Sequence, residues 1–196
     1  DSGAAHFCGR EITHTPTHRR ARLGLMRAFQ IVSIFREFTV LENLIVGVLA
    51  RERHAFQFWA PARKDENLKA FAREIARLLE LESKIEVIAQ ELSHGDLRRL
   101  ELAMALASKP RALLLDEPLA GLGPEESRSM TELLRNLRTE YGILLVEHDM
   151  DAVFQLADRI TVLVNGEVIA SGPPQEIRND IKVQEAYLGE DLPCLH

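Results

Sequence analysis

Short apolar runs that end in polar residues alternate along this chain with longer segments of helical periodicity. The runs cover residues 23–29, 112–115 and 143–146 and predict strands, and the last two have the length and boundaries of buried strands. The helical segments include residues 67–81, where apolar side chains recur at helical spacing. Strands that alternate with helices predict a largely parallel sheet, so the expected fold class is α/β.

Residues 39–107 are predicted to be mostly helical and to lie between the first and second strands. Thr39 and Glu42 have the spacing of a capping box, in which each side chain pairs with the other residue's backbone at a helix start. Ser93 is a suitable N-cap for a later helix, which ends before Pro110. This pattern predicts a helical subdomain inserted into an α/β domain.

The last part of the chain is predicted to contain a hairpin. Residues 160–164 and 167–170 are apolar runs separated by Asn165-Gly166, a dipeptide that favours a type I′ turn. Short helices are expected to complete the chain.

The composition of the 196 residues excludes some functions. A formal net charge of −6 does not provide the basic surface that nucleic acids require, so no nucleic-acid partner is expected. Cys8 and Cys194 lie at opposite ends without metal-ligand spacing, which fits a reducing compartment. No run approaches the ~20 apolar residues of a membrane span, although contact with a membrane protein stays possible.

Asp116 and Glu117 are the first candidates for chemistry. They follow the apolar run 112–115 directly, so they are expected at the carboxyl end of a buried strand, where open α/β sheets bind ligands. Because neighbouring strand residues point to opposite faces, one carboxylate could hold a metal while the other orients water. An isolated pair of this kind would more simply be two surface acids after a core strand.

Four segments in order resemble the motifs of ATP-binding cassette (ABC) ATPases. They are Ala28-Phe29-Gln30, Leu92-Ser93-His94-Gly95-Asp96, Leu113-Leu114-Leu115-Asp116-Glu117-Pro118 and Leu144-Leu145-Val146-Glu147-His148-Asp149, which resemble the Q-loop, the signature motif, Walker B and the H-loop. The resemblance covers essentially the whole chain. It is closest to the ATPase subunits of branched-chain amino acid importers, as in residues 19–24, 120–126 and 186–190.

This resemblance implies a P-loop NTPase-like fold of the ABC ATPase type, with a mostly parallel sheet and an inserted helical subdomain. It divides the chain into three parts. Residues 1–38 would be a remnant of the amino-terminal β region with the Q-loop strand, and residues 39–107 the helical subdomain with the signature motif. Residues 108–196 would be the Walker B and H-loop core with the carboxy-terminal hairpin and helices.

The resemblance also implies catalytic roles with ATP and Mg²⁺ as cofactors. Asp116 matches the aspartate that holds Mg²⁺ through water, and Gln30 matches a neutral ligand near Mg²⁺ and the attacking water. Glu117 matches the glutamate that polarises this water, and His148 matches the switch histidine near the γ-phosphate. Without the other motifs, His148 would be read as a strand-end histidine whose hydrogen bonds go to the backbone.

Ser93 and Gly95 match signature residues that face the γ-phosphate bound by a second ATP-binding subunit. The usual signature sequence is Leu-Ser-Gly-Gly-Gln. In this chain His94 replaces its third residue, glycine, and Asp96 replaces its fifth residue, glutamine. Asp96 suits the first turn of a helix, and we expect its carboxylate to point away from phosphate. Gly123 replaces the usual aspartate of the D-loop, so the side chain that commonly makes a hydrogen bond across the dimer is missing.

The phosphate-binding loop G-x-x-x-x-G-K-[ST] is absent from the sequence. The resemblance places such a loop upstream of Asp1, so the chain is expected to lack the amino-terminal part of its family and to be inactive alone. Two functions stay open. The parent protein could be an ATP-hydrolysing importer subunit, or the chain could be a regulatory or docking module that does not hydrolyse ATP.

The expected partners are a second ATP-binding subunit, identical or different, and transmembrane permease subunits at the cytoplasmic face of the inner membrane. The family resemblance places a permease helix in a groove of the helical subdomain, near residues 31–38. This segment has five apolar residues that fit neither helical nor strand periodicity, Phe35 among them. The alternative is that they pack into the chain's own core. The resemblance implies that selectivity for the transported substrate lies in the membrane and periplasmic partners.

Overall fold

The computed structural model describes residues 3–28, 34–50 and 65–191, with side chains described as far as residue 186. Gln30, and residues 31–33 of the predicted permease-binding segment, lie outside this part. The described residues belong to two compact units that divide between residues 147 and 148.

The first unit begins with a small hairpin and a short helix. Its strands in chain order are β1 (His6–Phe7), β2 (Arg10–Glu11), β3 (Leu25–Ala28), β4 (Ala112–Asp116) and β5 (Gly142–Val146). Its helices are α1 (Thr17–Arg22), α2 (Val40–Leu49), α3 (Glu66–Leu78), α4 (His94–Ala107) and α5 (Pro124–Leu137). Short 3₁₀ helices at Glu82–Lys84 and Ala89–Glu91 connect α3 to α4.

Strands β3, β4 and β5 form a parallel sheet in that order, which confirms the predicted α/β fold class. Ala28 pairs with Leu115, and Asp116 pairs with Val146. The carboxyl ends of the three strands therefore meet at one edge, as expected for the predicted parallel sheet. Strand β3 begins two residues later than predicted, because Gly24 turns the chain with a φ of 94° after helix α1.

The two faces of this sheet have different environments. Leu113 and Leu115 of β4 are 0% and 1% exposed, whereas Leu144 and Val146 of β5 are 64% and 56% exposed. The register places Leu144 and Val146 beside Leu114 and Asp116 on the second face. The prediction that the run 143–146 is a buried strand is therefore wrong for β5, whose residues on this face are exposed although parallel sheets normally have both faces covered.

Helices α2, α3 and α4 pack together and bury their facing apolar residues, among them Leu44, Ile45 and Leu100. The predicted capping box is present: the Glu42 backbone N–H donates to Thr39 Oγ1 at 3.2 Å, and the Thr39 N–H donates to Glu42 Oε2 at 3.0 Å. Helix α3 ends three residues earlier than predicted, since Glu80 has a φ of 58° that a helix cannot continue.

The second unit contains α6 (Met150–Leu156), β6 (Ile160–Val164), β7 (Glu167–Gly172), α7 (Pro174–Arg178) and α8 (Ile181–Asp191). Strands β6 and β7 form the predicted hairpin, and Asn165 and Gly166 have φ values of 51° and 82°, as a type I′ turn requires. Its core is built around Ile160, Val162, Ile177 and Val183. Within the described ranges, no helix has the length and hydrophobicity needed to cross a membrane.

Candidate functional site

Asp116 is the last residue of β4, and its carboxylate is paired with a cation. The Arg27 guanidinium on β3 donates to Asp116 Oδ2 at 2.7 Å. The register puts both residues on the open face of the sheet, and their side chains are 40% and 25% exposed. An ion pair this accessible to water is weak, so a stronger cation can displace the guanidinium.

Glu117, next to it, has a backbone conformation that non-glycine residues rarely adopt. Its φ is 49°, in the left-handed region, and its side chain is exposed. Its N–H donates to the carbonyl of Val146 at 2.9 Å, and its own carbonyl accepts from the N–H of Ala120 at 3.1 Å. Such conformations persist only where the surroundings fix them, and they concentrate at functional sites.

Ser93 is the N-cap of α4, and its hydroxyl is bonded within the chain. Ser93 Oγ accepts from the Asp96 N–H at 3.1 Å and donates to Asp96 Oδ2 at 2.7 Å. The Lys84 ammonium forms an ion pair with the same carboxylate, and the Asp96 side chain is only 9% exposed. Sequence reasoning did not find Lys84.

The charge state of Asp96 follows from these contacts. Burial raises the pKa of this carboxyl, but hydrogen bonds from Lys84 and Ser93, with the charges of Lys84 and Arg99, outweigh burial and hold the pKa below its usual value. Asp96 is therefore an anion at neutral pH, and Lys84 compensates its charge. The substitution of an acid for the usual glutamine thus leaves this cluster without a net negative charge.

The signature residues also contact the loop that leads into α5. A Cβ added to Gly95 would lie 2.5 Å from Oε1 of Glu126, and one added to Gly121 would lie 3.1 Å from Nε2 of His94. Glu126 also accepts from the Gly123 N–H at 3.2 Å through Oε2. A capping box normally has two hydrogen bonds, one from each side chain to the other residue's backbone. Gly123 has no side chain, so only the bond to the Glu126 carboxylate can form here. Residues from the two segments line an open cleft of about 230 Å³.

The structure therefore brings the predicted residues together in two groups within the first unit. Asp116 and Glu117 lie at the carboxyl edge of the sheet, and Ser93 and Gly95 lie at the start of α4 beside residues 121–126. His148 begins the second unit and is exposed. The roles of these residues, and that of Gln30, stay predictions.

Asp116 has the donor chemistry for Mg²⁺ when other oxygens complete the coordination. Among the described residues, no group of three or more His, Cys, Asp and Glu side chains could hold a metal. Mg²⁺ is commonly bound by one or two carboxylates together with substrate phosphates and water, and a single accessible aspartate fits that role. The Arg27 guanidinium bonds Oδ2 of Asp116 and would compete with Mg²⁺ for this oxygen.

Comparison with known proteins identifies the family of the chain. The family described as ABC transporter matches residues 1–120, and that described as branched-chain amino acid ATP-binding cassette transporter matches residues 167–192. The chain is 38% identical to the high-affinity branched-chain amino acid transport ATP-binding protein BraF of Pseudomonas aeruginosa, over 96% of this chain and 76% of that protein. It is 41% identical to LivG of Salmonella typhimurium, which has the same descriptive name, over 92% of this chain and 74% of that protein.

A crystal structure of a nucleotide-free ATP-binding cassette from an ABC transporter superposes with a TM-score of 0.81 at 30% identity, covering 97% of this chain and 78% of that one. The fold is therefore that of an ATP-binding cassette. The chain belongs to the ABC transporter family, which confirms the resemblance drawn from its four motifs.

Proposed function

We propose that the chain is the greater part of an ATP-hydrolysing subunit that energises uptake of branched-chain or related amino acids. The ATPase activity in this proposal is supported by the two carboxylates at the end of β4. Asp116 ends the strand, and Glu117 follows it with an exposed side chain and a left-handed backbone conformation. The names of BraF and LivG, and the family match over residues 167–192, support the substrate class.

Each residue would have one task in hydrolysis. Asp116 and Gln30 would hold Mg²⁺, which when bound neutralises phosphate charge. Glu117 would accept a hydrogen bond from the attacking water and so orient it for attack. His148 would lie near the γ-phosphate.

Ser93 and Gly95 would act on nucleotide bound by a second subunit. The N–H groups at the start of a helix attract anions, and α4 begins directly after Ser93. Because Lys84 neutralises Asp96, the carboxylate does not oppose an incoming phosphate. This arrangement requires a dimer of ATP-binding subunits, identical or different.

The phosphate-binding loop would come from polypeptide outside this chain. No G-K-[ST] sequence occurs between Asp1 and His196. On this proposal the further loop and its flanking elements would cover Leu144 and Val146, which are exposed on the apolar sheet face. On this proposal the chain alone neither binds Mg-ATP tightly nor hydrolyses it.

The proposed docking point for permease subunits at the inner membrane is built around Phe35. Phe35 is 44% exposed, and its ring stacks on that of Phe38 with 5.3 Å between the ring centres. The fully buried Asn43 fixes the Phe35 backbone, accepting from its N–H at 2.8 Å and donating to its carbonyl at 3.0 Å. A rigid backbone that presents an exposed aromatic ring favours a partner over the chain's own core.

The test compares the 196-residue chain with the longest product of its reading frame, each as wild type and as Glu117→Gln. If the longer product hydrolyses ATP, Glu117→Gln should lower kcat by about 100-fold or more while ATP binding is retained. Glu125→Gln changes an exposed acid nearby and should leave kcat unchanged. Equal turnover in the Glu117→Gln variant would overturn the role of Glu117.

The absence of the phosphate loop favours a second candidate, a docking module that does not hydrolyse ATP. The same experiment separates the two. A longest product that binds permease subunits but has no ATPase activity supports the module. Turnover by the 196-residue chain itself, abolished by Glu117→Gln, would contradict both this candidate and the proposed need for a further loop.

A further inference from the structure

Glu147, which follows β5 in the first unit, has no role in the proposed reaction but makes a long-range contact. Its Oε1 accepts a hydrogen bond from the backbone N–H of Leu119 at 2.9 Å, in a partly buried position. These residues are 28 positions apart in sequence. The carboxylate therefore joins the end of β5 to the turn that follows β4.

That turn contains Glu117, and its backbone donors are fully used. The Glu117 N–H bonds to Val146, the Leu119 N–H to Glu147, and the Ala120 N–H back to Glu117, while Pro118 has no N–H to donate. The end of β5 thus holds the turn on both sides of Pro118, once through backbone and once through the Glu147 side chain.

The conformation held in this way is not one that the local sequence favours. A glutamate has little preference for a φ of 49°, and a residue before proline favours extended backbone. Leu119, only 7% exposed, is anchored in the core on the other side of Pro118. Removing the contact to its N–H would let the backbone at residue 117 relax toward the extended region.

We propose that Glu147 is a positioning residue, which keeps Glu117 in the left-handed conformation and thereby sets the direction of its carboxylate. The catalytic importance of that direction rests on the proposed function. The conformational effect does not, because it concerns contacts within the first unit alone.

The test is NMR spectroscopy of the 196-residue chain as wild type, Glu147→Ala, Glu147→Gln and the control Glu140→Ala, an exposed acid just before β5. In Glu147→Ala the backbone shifts and HN–Hα coupling of Glu117 should move toward extended values. The Leu119 amide should exchange at least about tenfold faster. Glu147→Gln should retain both wild-type properties, because its amide oxygen can accept the same hydrogen bond.

Unchanged Glu117 signals in a folded Glu147→Ala variant would overturn the proposal, and so would a Glu147→Gln variant that behaves like Glu147→Ala. If the alanine variant does not fold, Glu147→Asp, one methylene shorter, gives the same comparison. A purely stabilising role would lower the melting temperature without moving the Glu117 signals. Since no turnover is measured, failure here is distinct from failure of the proposed ATPase function.

Discussion

Replacing Lys84 with methionine should destabilise the chain by removing the cation that faces a buried carboxylate. Breaking a fully buried ion pair from one side costs about 3–5 kcal/mol. The Lys84 side chain is 42% exposed, and Ser93 still bonds to Asp96, so the loss here should be smaller. We expect about 1–2 kcal/mol at pH 7, which corresponds to a fall of roughly 3–6 °C in melting temperature for a chain of this size.

The dependence of this loss on pH has a definite sign. Although burial acts in the opposite direction, hydrogen bonds from Lys84 and Ser93 and the charges of Lys84 and Arg99 lower the pKa of Asp96 in the folded chain. A lowered folded-state pKa contributes stability above the unfolded value of about 3.9, and this stability is lost as pH falls through the folded pKa. The difference between wild type and Lys84→Met should therefore be largest at neutral pH and shrink toward pH 3.

Thermal unfolding and hydrogen exchange of the α4 amides, each at pH 7 and pH 3, measure this prediction. Asp96→Asn in the Lys84→Met background should recover much of the loss, because the asparagine is neutral and still reaches Ser93. Lys69→Met is the control, since the carboxylate it leaves unpaired, Glu66, is 77% exposed to water, so the change should cost little. An equal loss at pH 3 and pH 7, or an equal loss in the control, would refute the reasoning.

Two further predictions follow from the same unit. Phe35→Asp should abolish pull-down of the permease subunits while the melting temperature of the chain stays unchanged. The control Leu78→Asp, at a residue that is 45% exposed, should leave the complex intact. If Phe35→Asp prevents folding, Phe35 belongs to the core. Gly95→Ala should destabilise by about 0.5–2 kcal/mol in thermal melts, because it displaces Glu126 from its cap, yet be neutral or stabilising in a Glu126→Ala background. If Gly95→Ala still lowers stability in the Glu126→Ala background, the added methyl group clashes with a residue other than Glu126.

The sequence was sufficient for features that depend on local pattern. Strand β4, the capping box at Thr39, the N-cap at Ser93 and the Asn165-Gly166 turn all occur as predicted, because a few neighbouring residues decide each of them. The meeting of strand ends at one edge also followed, since it needs only the order of strands and helices along the chain.

Contacts between distant residues could not be predicted in this way. Arg27 and Asp116 are 89 positions apart, and their contact depends on a register that no local pattern specifies. Lys84 belongs to a short 3₁₀ helix, and nothing in its neighbours points to Asp96. For Glu117, local rules favour the wrong conformation, because contacts from β5 override the preference of a residue before proline.

The ion pairs of Asp116 and Asp96 differ in exposure, and this difference assigns them different roles. The Asp116 side chain is 25% exposed and its partner Arg27 40%, so water and salt screen the pair and it contributes only about 0–1 kcal/mol. A metal ion with phosphate can therefore compete for Asp116 at little cost. The Asp96 side chain is only 9% exposed, and a carboxylate so buried would lose most of its charge compensation if Lys84 moved away. Asp116 can thus change partners during a reaction cycle, whereas the pairing of Asp96 with Lys84 is a fixed part of the structure.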